Sequence, residues 1–110
     1  MAKKLKFRLF RLGAKRELFV LPPVVLTTHG GNSVEVHNHT DVDVTVDNTH
    51  LDATSPIKIE KKNGGTVHSG TAPLRAEADQ PGKQLQIKIT STTGDRFVSL
   101  IGSDPEIIIL

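Results

Sequence analysis

The sequence has no cysteine, which excludes disulfides, thiolate nucleophiles and the usual cysteine-built zinc sites, and fits a reducing compartment. It also has no tryptophan or tyrosine and only four phenylalanines, so any core must be built mainly from valine, isoleucine and leucine. β-Branched residues of that kind favour strands. No apolar run approaches the roughly 18 residues of a membrane span. Leu18 to Leu26 follows a basic start as a secretion signal would, but Pro22-Pro23 interrupts it. His29-Gly30-Gly31-Asn32 stands where a small-residue cleavage pattern belongs, so a cytoplasmic location is expected. At 110 residues the chain has the size of one ordinary domain.

The net charge of +2 hides an asymmetry. Residues 1 to 16 carry Lys3, Lys4, Lys6, Arg8, Arg11, Lys15 and Arg16 and no acid, whereas all twelve acidic side chains lie beyond them. A basic arm on an acidic body points to an anionic partner or to docking of one part on another.

The clearest pattern is Val34 to Asp47. Val34-Glu35-Val36 and Val42-Asp43-Val44-Thr45-Val46 alternate strictly, which at a strand's period of two puts valines on one face and polar groups on the other. Asn38 to Asp41 between them is rich in turn formers. Lys4-Leu5-Lys6-Phe7-Arg8-Leu9 alternates too and predicts an amphipathic strand; a helix through Leu5, Leu9 and Leu12 accommodates Phe7 and Phe10 poorly. Gly13 to Arg16 reads as a turn, Glu17 to Leu21 as a returning strand ended by the two prolines, and Val24 to Thr28 as the next strand. Asn48 to Pro56 is a long connection. Ile57 to Glu60 alternates, Asn63-Gly64-Gly65 is a strong hairpin signal, and Ala72 to Ala78 reads as extended. Leu85 to Thr90, Arg96 to Ile101 and Ile107 to Leu110 complete an all-β pattern, whose strand lengths and turn spacing read as a β-sandwich or barrel.

From Pro23 onward the order of features resembles the cupredoxin family. The residues that carry the resemblance are Pro23 to Thr28, the turn Gly30-Gly31-Asn32, the Val34-Glu35-Val36 strand ending at Asn38, the Val42 to Asp47 strand, and Pro81-Gly82 before Leu85-Gln86-Ile87. Immunoglobulin-like sandwiches would give a similar pattern. The resemblance implies an all-β fold, a Greek-key β-sandwich over residues 23–110, with residues 1–22 added as a basic N-terminal strand or hairpin. It does not extend to the blue-copper centre: the first histidine ligand would fall near Asp43, and the cysteine ligand is absent. No cofactor is expected.

Five histidines stand at 29, 37, 39, 50 and 68. His37 and His39 are two apart, so a continuing strand would set them on one face, where imidazoles could hold copper, nickel or zinc. Val34 and Val36 pointing inward leaves both histidines on the solvent face with Glu35. Asp41-x-Asp43-x-Thr45-x-Asp47 superficially matches an EF-hand opening, but Val46 and Asp52 occupy the positions that need glycine and glutamate. Gly82-Lys83-Gln84 lacks the rest of a phosphate-binding loop, and no Gly-x-Ser-x-Gly elbow exists. No small-molecule substrate is suggested. The four phenylalanines read as core residues, not as a base-stacking platform.

These residues lead to a non-enzymatic interaction or assembly module that self-associates as a homo-oligomer. Lys4, Lys6 and Arg8 would face Asp41, Asp43 and Asp47 of a neighbouring subunit while Leu5, Phe7 and Leu9 become buried, with the apolar C-terminal Ile107 to Leu110 as a second contact. The alternative is a metal-binding protein using His37 and His39. A weaker one is binding of nucleic acid or another anion through the basic N-terminus, which would weaken steeply with salt.

Overall fold

The computed structural model describes residues 3–12, 17–98 and 102–110; the expected turn at Gly13 to Arg16 lies outside them. The described residues form ten strands in order: β1 Lys3–Leu12, β2 Glu17–Leu21, β3 Val24–Thr27, β4 Asn32–Asn38, β5 Val44–Val46, β6 Ile57–Ile59, β7 His68–Pro73, β8 Gln84–Gln86, β9 Ile89–Ser91 and β10 Glu106–Ile109. None of the described residues is helical. The all-β expectation therefore holds.

Three sheets result, ordered β2-β1-β4-β7, β3-β10-β8 and β6-β5-β9. In the first, β1 runs antiparallel to β2 but parallel to β4, with Leu5 beside Val34 and Phe7 beside Val36. Alternation then does what the pattern predicts: Leu5, Phe7 and Leu9 turn inward with Val34 and Val36, all at most 6% exposed. They join one core with Val44, Val46, Leu85, Ile87, Ile89, Phe97, Ile107 and Ile109 from the other two sheets and the segment after them. Burying each large side chain contributes roughly 1.5–3 kcal/mol. The described part of residues 1–22, set apart in the sequence as an arm, thus shares sheet and core with the rest of the chain. The reason is that the apolar face of β1 continues the valine face of β4.

Two expected strands are built differently. Leu85 to Thr90 is divided into β8 and β9 because it serves two sheets: β8 pairs with β10, and β9 pairs with β5. At the break the Ile87 N–H donates to the Pro105 carbonyl, while the Lys88 carbonyl accepts from the Asp47 N–H. Of Arg96 to Ile101, the described part makes only isolated bridges, Arg96 with Thr90 and Val98 with Phe19. Extended structure after Ala72 ends at Leu74, and the Arg75 carbonyl then accepts from the N–H groups of Ala78 and Asp79 in a turn. The glycine hairpin forms as expected, with Asn63 and Thr66 exchanging backbone hydrogen bonds around Gly64-Gly65.

Buried polar groups pin the loops that join the sheets. Asn38, fully buried at the end of β4, donates through Nδ2 to the Val42 and Glu60 carbonyls at 2.8 and 3.1 Å. Its Oδ1 accepts from the Thr40 N–H at 3.0 Å and from the Thr40 hydroxyl at 2.6 Å. Asn32, at the start of the same strand, is bound by Asp79, which accepts from its backbone N–H and its Nδ2 and from the Gly30 N–H. Burial by itself would raise the Asp79 carboxyl. The hydrogen bonds from the Asn32 side chain and from the Gly30 and Asn32 N–H groups, with the nearby Lys3 charge, outweigh it and hold the group below its ordinary value.

Candidate functional site

The outward residues of the first sheet put most of the chemistry suggested by the sequence on one face. Lys4, Lys6 and Arg8 project from β1 and are exposed, with Glu35 and His37 on the neighbouring β4. Lys6 stands beside Glu35 and Arg8 beside His37. His37 Nε2 lies 2.8 Å from Glu35 Oε1. That hydrogen bond, against the cost of burial and with help from Lys4, His37 and Lys6, keeps the Glu35 carboxyl below its usual range.

His39 does not join this pair. Its ring stacks on Phe10, with centroids 5.1 Å apart and planes at 16°. Burial lowers its pKa, and the positive charges of His37, Arg8 and Lys62 lower it further. His37 and His39 do share a face, but one is held by a carboxylate and the other by an aromatic ring. Among the described residues no three or more His, Asp or Glu side chains are gathered where they could hold a metal ion.

The acidic residues expected to face a neighbouring subunit have partners within this chain. Asp41 lies 3.1 Å from Arg11 Nε, so one charge of the basic strand is matched internally. Asp43 accepts from the Lys61 N–H at 2.8 Å. Asp47 accepts from the N–H and the hydroxyl of Thr49, bonds that lower its pKa despite burial, with help from the Lys88 and His50 charges. Lys3 is also engaged, donating to the Thr28 carbonyl and hydroxyl at 2.8 Å. Lys4, Lys6 and Arg8 remain as the outward cations of β1.

The topology adds a feature that no local pattern reveals. β2 covers β1 only from Arg8 to Leu12, because the chain leaves the first sheet at Leu21-Pro22-Pro23 to become β3 of another. Lys3–Phe7 is therefore paired with β4 on one side, and among the described residues no strand pairs with it on the other. The Lys3 N–H donates to the Gly31 carbonyl and the Leu9 carbonyl accepts from the His39 N–H, so odd-numbered residues turn their peptide groups to β4. Alternation then directs the peptide groups of Lys4 and Lys6 to the open side. Where β2 departs, Lys6, Arg8, Phe10, Leu21, Pro22 and Pro23 line a groove of about 520 Å³. Phe10 and Phe19, expected in the core, fall on the outward parity of their strands and are half-buried, unlike Phe7 and Phe97.

A second surface lies on β3 and β10. Val24, Leu26 and Leu110, at 38%, 62% and 66% exposure, are the exposed large hydrophobics among the described residues. The parallel register sets Leu26 beside Ile108 and Val24 beside Glu106, so the outward face carries Val24, Leu26, Ile108 and Leu110 as one patch, while Ile107 and Ile109 point into the core. The sequence pointed to Ile107 to Leu110 as a contact but not to Val24 and Leu26, because a short apolar strand does not reveal which of its faces is covered.

Among the described residues, fold and surface define an all-β protein with an open cationic strand edge on β1 and an exposed apolar face on β3 and β10. Compared with known proteins, the chain matches no family model and no curated sequence.

Proposed function

We propose that the chain is a non-enzymatic assembly module with a cupredoxin-like β-sandwich, which self-associates through the outward face of β3 and β10. The sandwich reading is supported by strand order. Ile87 and Lys88 link β8 of one three-stranded sheet directly to β9 of the other, and residues of all three sheets share one core, as the two layers of a sandwich would. In chain order the strands alternate repeatedly between the first sheet and the other two, at β2 to β3, β3 to β4, β4 to β5, β6 to β7 and β7 to β8, as the connections of a Greek-key sandwich would.

The observation that carries the assembly reading is that Val24, Leu26 and Leu110 all fall on one face, around Ile108. Single exposed apolar residues are ordinary, but a contiguous apolar patch marks a contact surface. β1 suits self-pairing less well. Antiparallel pairing of its open edge with the same edge of a second copy would set lysine against lysine, which destabilises a strand pair. Electron transfer has no support without the cysteine ligand.

Light scattering across a concentration series tests the proposal. The mass should rise from the monomer's 11.9 kDa toward twice that value. Leu26→Lys and Leu110→Lys, both at exposed positions, should hold it at the monomer while leaving thermal stability unchanged at concentrations where the parent is itself monomeric. A wild-type chain monomeric at every concentration, or variants that associate as it does, would refute it.

A further inference from the structure

We infer that the open edge of β1 at Lys4 and Lys6 is a strand-addition site for an extended, acidic segment of another protein chain, laid antiparallel to β1 in line with β2. This does not depend on self-association through β3 and β10.

The backbone comes first. Lys4 and Lys6 each turn one N–H and one carbonyl to the open side, so an added strand meets two donors and two acceptors at strand spacing. An antiparallel neighbour places its directly opposed residues with side chains on the same face as those of Lys4 and Lys6. Both lysines are exposed, Arg8 continues their row, and the one carboxylate beside them, Glu35, is already held by His37. Acidic side chains at every second position of the added strand would meet this row in register.

The end of the site is also shaped. Arg8 is the residue at which β2 takes over, so an added strand abuts Leu21, Pro22 and Pro23. These with Phe10 give the groove an apolar lining and Lys6 and Arg8 a cationic one, which fits an apolar residue at the N-terminal start of the acidic segment, the end that antiparallel pairing sets at Arg8. Like-charge repulsion excludes a second copy of β1 from the edge. A nucleic acid would use the charges but leave the peptide groups of Lys4 and Lys6 unpaired, and Phe10 is occupied by His39 and not free to stack on a base.

The test is titration of the full chain with an eight-residue peptide alternating glutamate and valine. Saturable binding that weakens with salt is expected, together with slowed hydrogen exchange at the Lys4 and Lys6 backbone amides. N-methylation at the peptide's glutamates should abolish binding, because in this register the glutamate peptide groups face β1; N-methylation at its valines should not. Lys4→Gln with Lys6→Gln should weaken binding about tenfold, and Leu26→Lys should leave it unchanged. The inference fails if the peptide does not bind, if glutamate N-methylation is harmless, or if the two amides stay unprotected. It also fails if a single-stranded oligonucleotide of equal charge binds as tightly, or if the chain alone associates with these amides protected.

Discussion

Asn38→Asp is nearly isosteric, yet it should be among the most damaging changes this chain can take. Asn38 is fully buried, and its Nδ2 donates to two carbonyl oxygens, those of Val42 and Glu60. Aspartate puts an oxygen in that place, so two hydrogen bonds become two oxygen–oxygen repulsions while a carboxylate is left in the core. Losing two bonds at about 1 kcal/mol each and leaving buried acceptors unpaired at about 1–3 kcal/mol gives a total near 3–5 kcal/mol at pH 7. That lowers the melting temperature by about 15–25 °C for a domain of this size. The sign of the pH dependence follows from the same geometry. The carboxyl at position 38 would have a folded pKa above its unfolded value of about 3.9, so the deficit relative to the parent shrinks as pH falls and the protonated acid regains a donor. Urea denaturation at pH 7 and pH 4 reads both effects. A deficit under 1 kcal/mol, or one that does not change with pH, would show that Asn38 is not the clamp described.

Two further outcomes are expected. Gly70→Ala should destabilise by about 1–3 kcal/mol, because a Cβ there would stand 2.8 Å from Ile57 Cγ2 and 3.0 Å from Ile59 Cγ1, where β6 packs closely on β7. Chemical denaturation measures this, and in the Gly70→Ala, Ile57→Ala double variant the two costs should sum to more than the measured total. Asp79→Ala should cost about 2–4 kcal/mol at neutral pH by leaving the Asn32 N–H and amide and the Gly30 N–H without their carboxylate. Because the folded pKa of Asp79 lies below its ordinary value, its contribution is complete above the unfolded pKa and disappears as pH falls through the folded one. Stability curves of parent and variant should therefore converge in acid, and parallel curves would refute the role given to the carboxylate.

How much of this was legible in the sequence depends on the range of the interaction. Which side chains of β1, β4 and β5 face inward was readable in advance, as was the glycine hairpin at Asn63 to Thr66, because both depend on neighbours within a few residues. The partners of Asp41 and the fates of His37 and His39 were not. Arg11 lies thirty residues before Asp41, and the aromatic ring that takes His39 belongs to a strand whose parallel register with β4 no local pattern encodes.

By itself the sequence determined that the chain is all-β, which faces of its strands are apolar, and that no cysteine chemistry operates, since period-two alternation and composition need no knowledge of what packs where. Tertiary structure alone decided that the basic N-terminal strand lies inside the first sheet, that β2 abandons it halfway, and that β3 and β10 leave Leu26 and Leu110 uncovered. The physical reason is that a strand's backbone must find its hydrogen-bond partners on other segments. Which edges find one, and which stay open for another molecule, is a property of the assembled sheets.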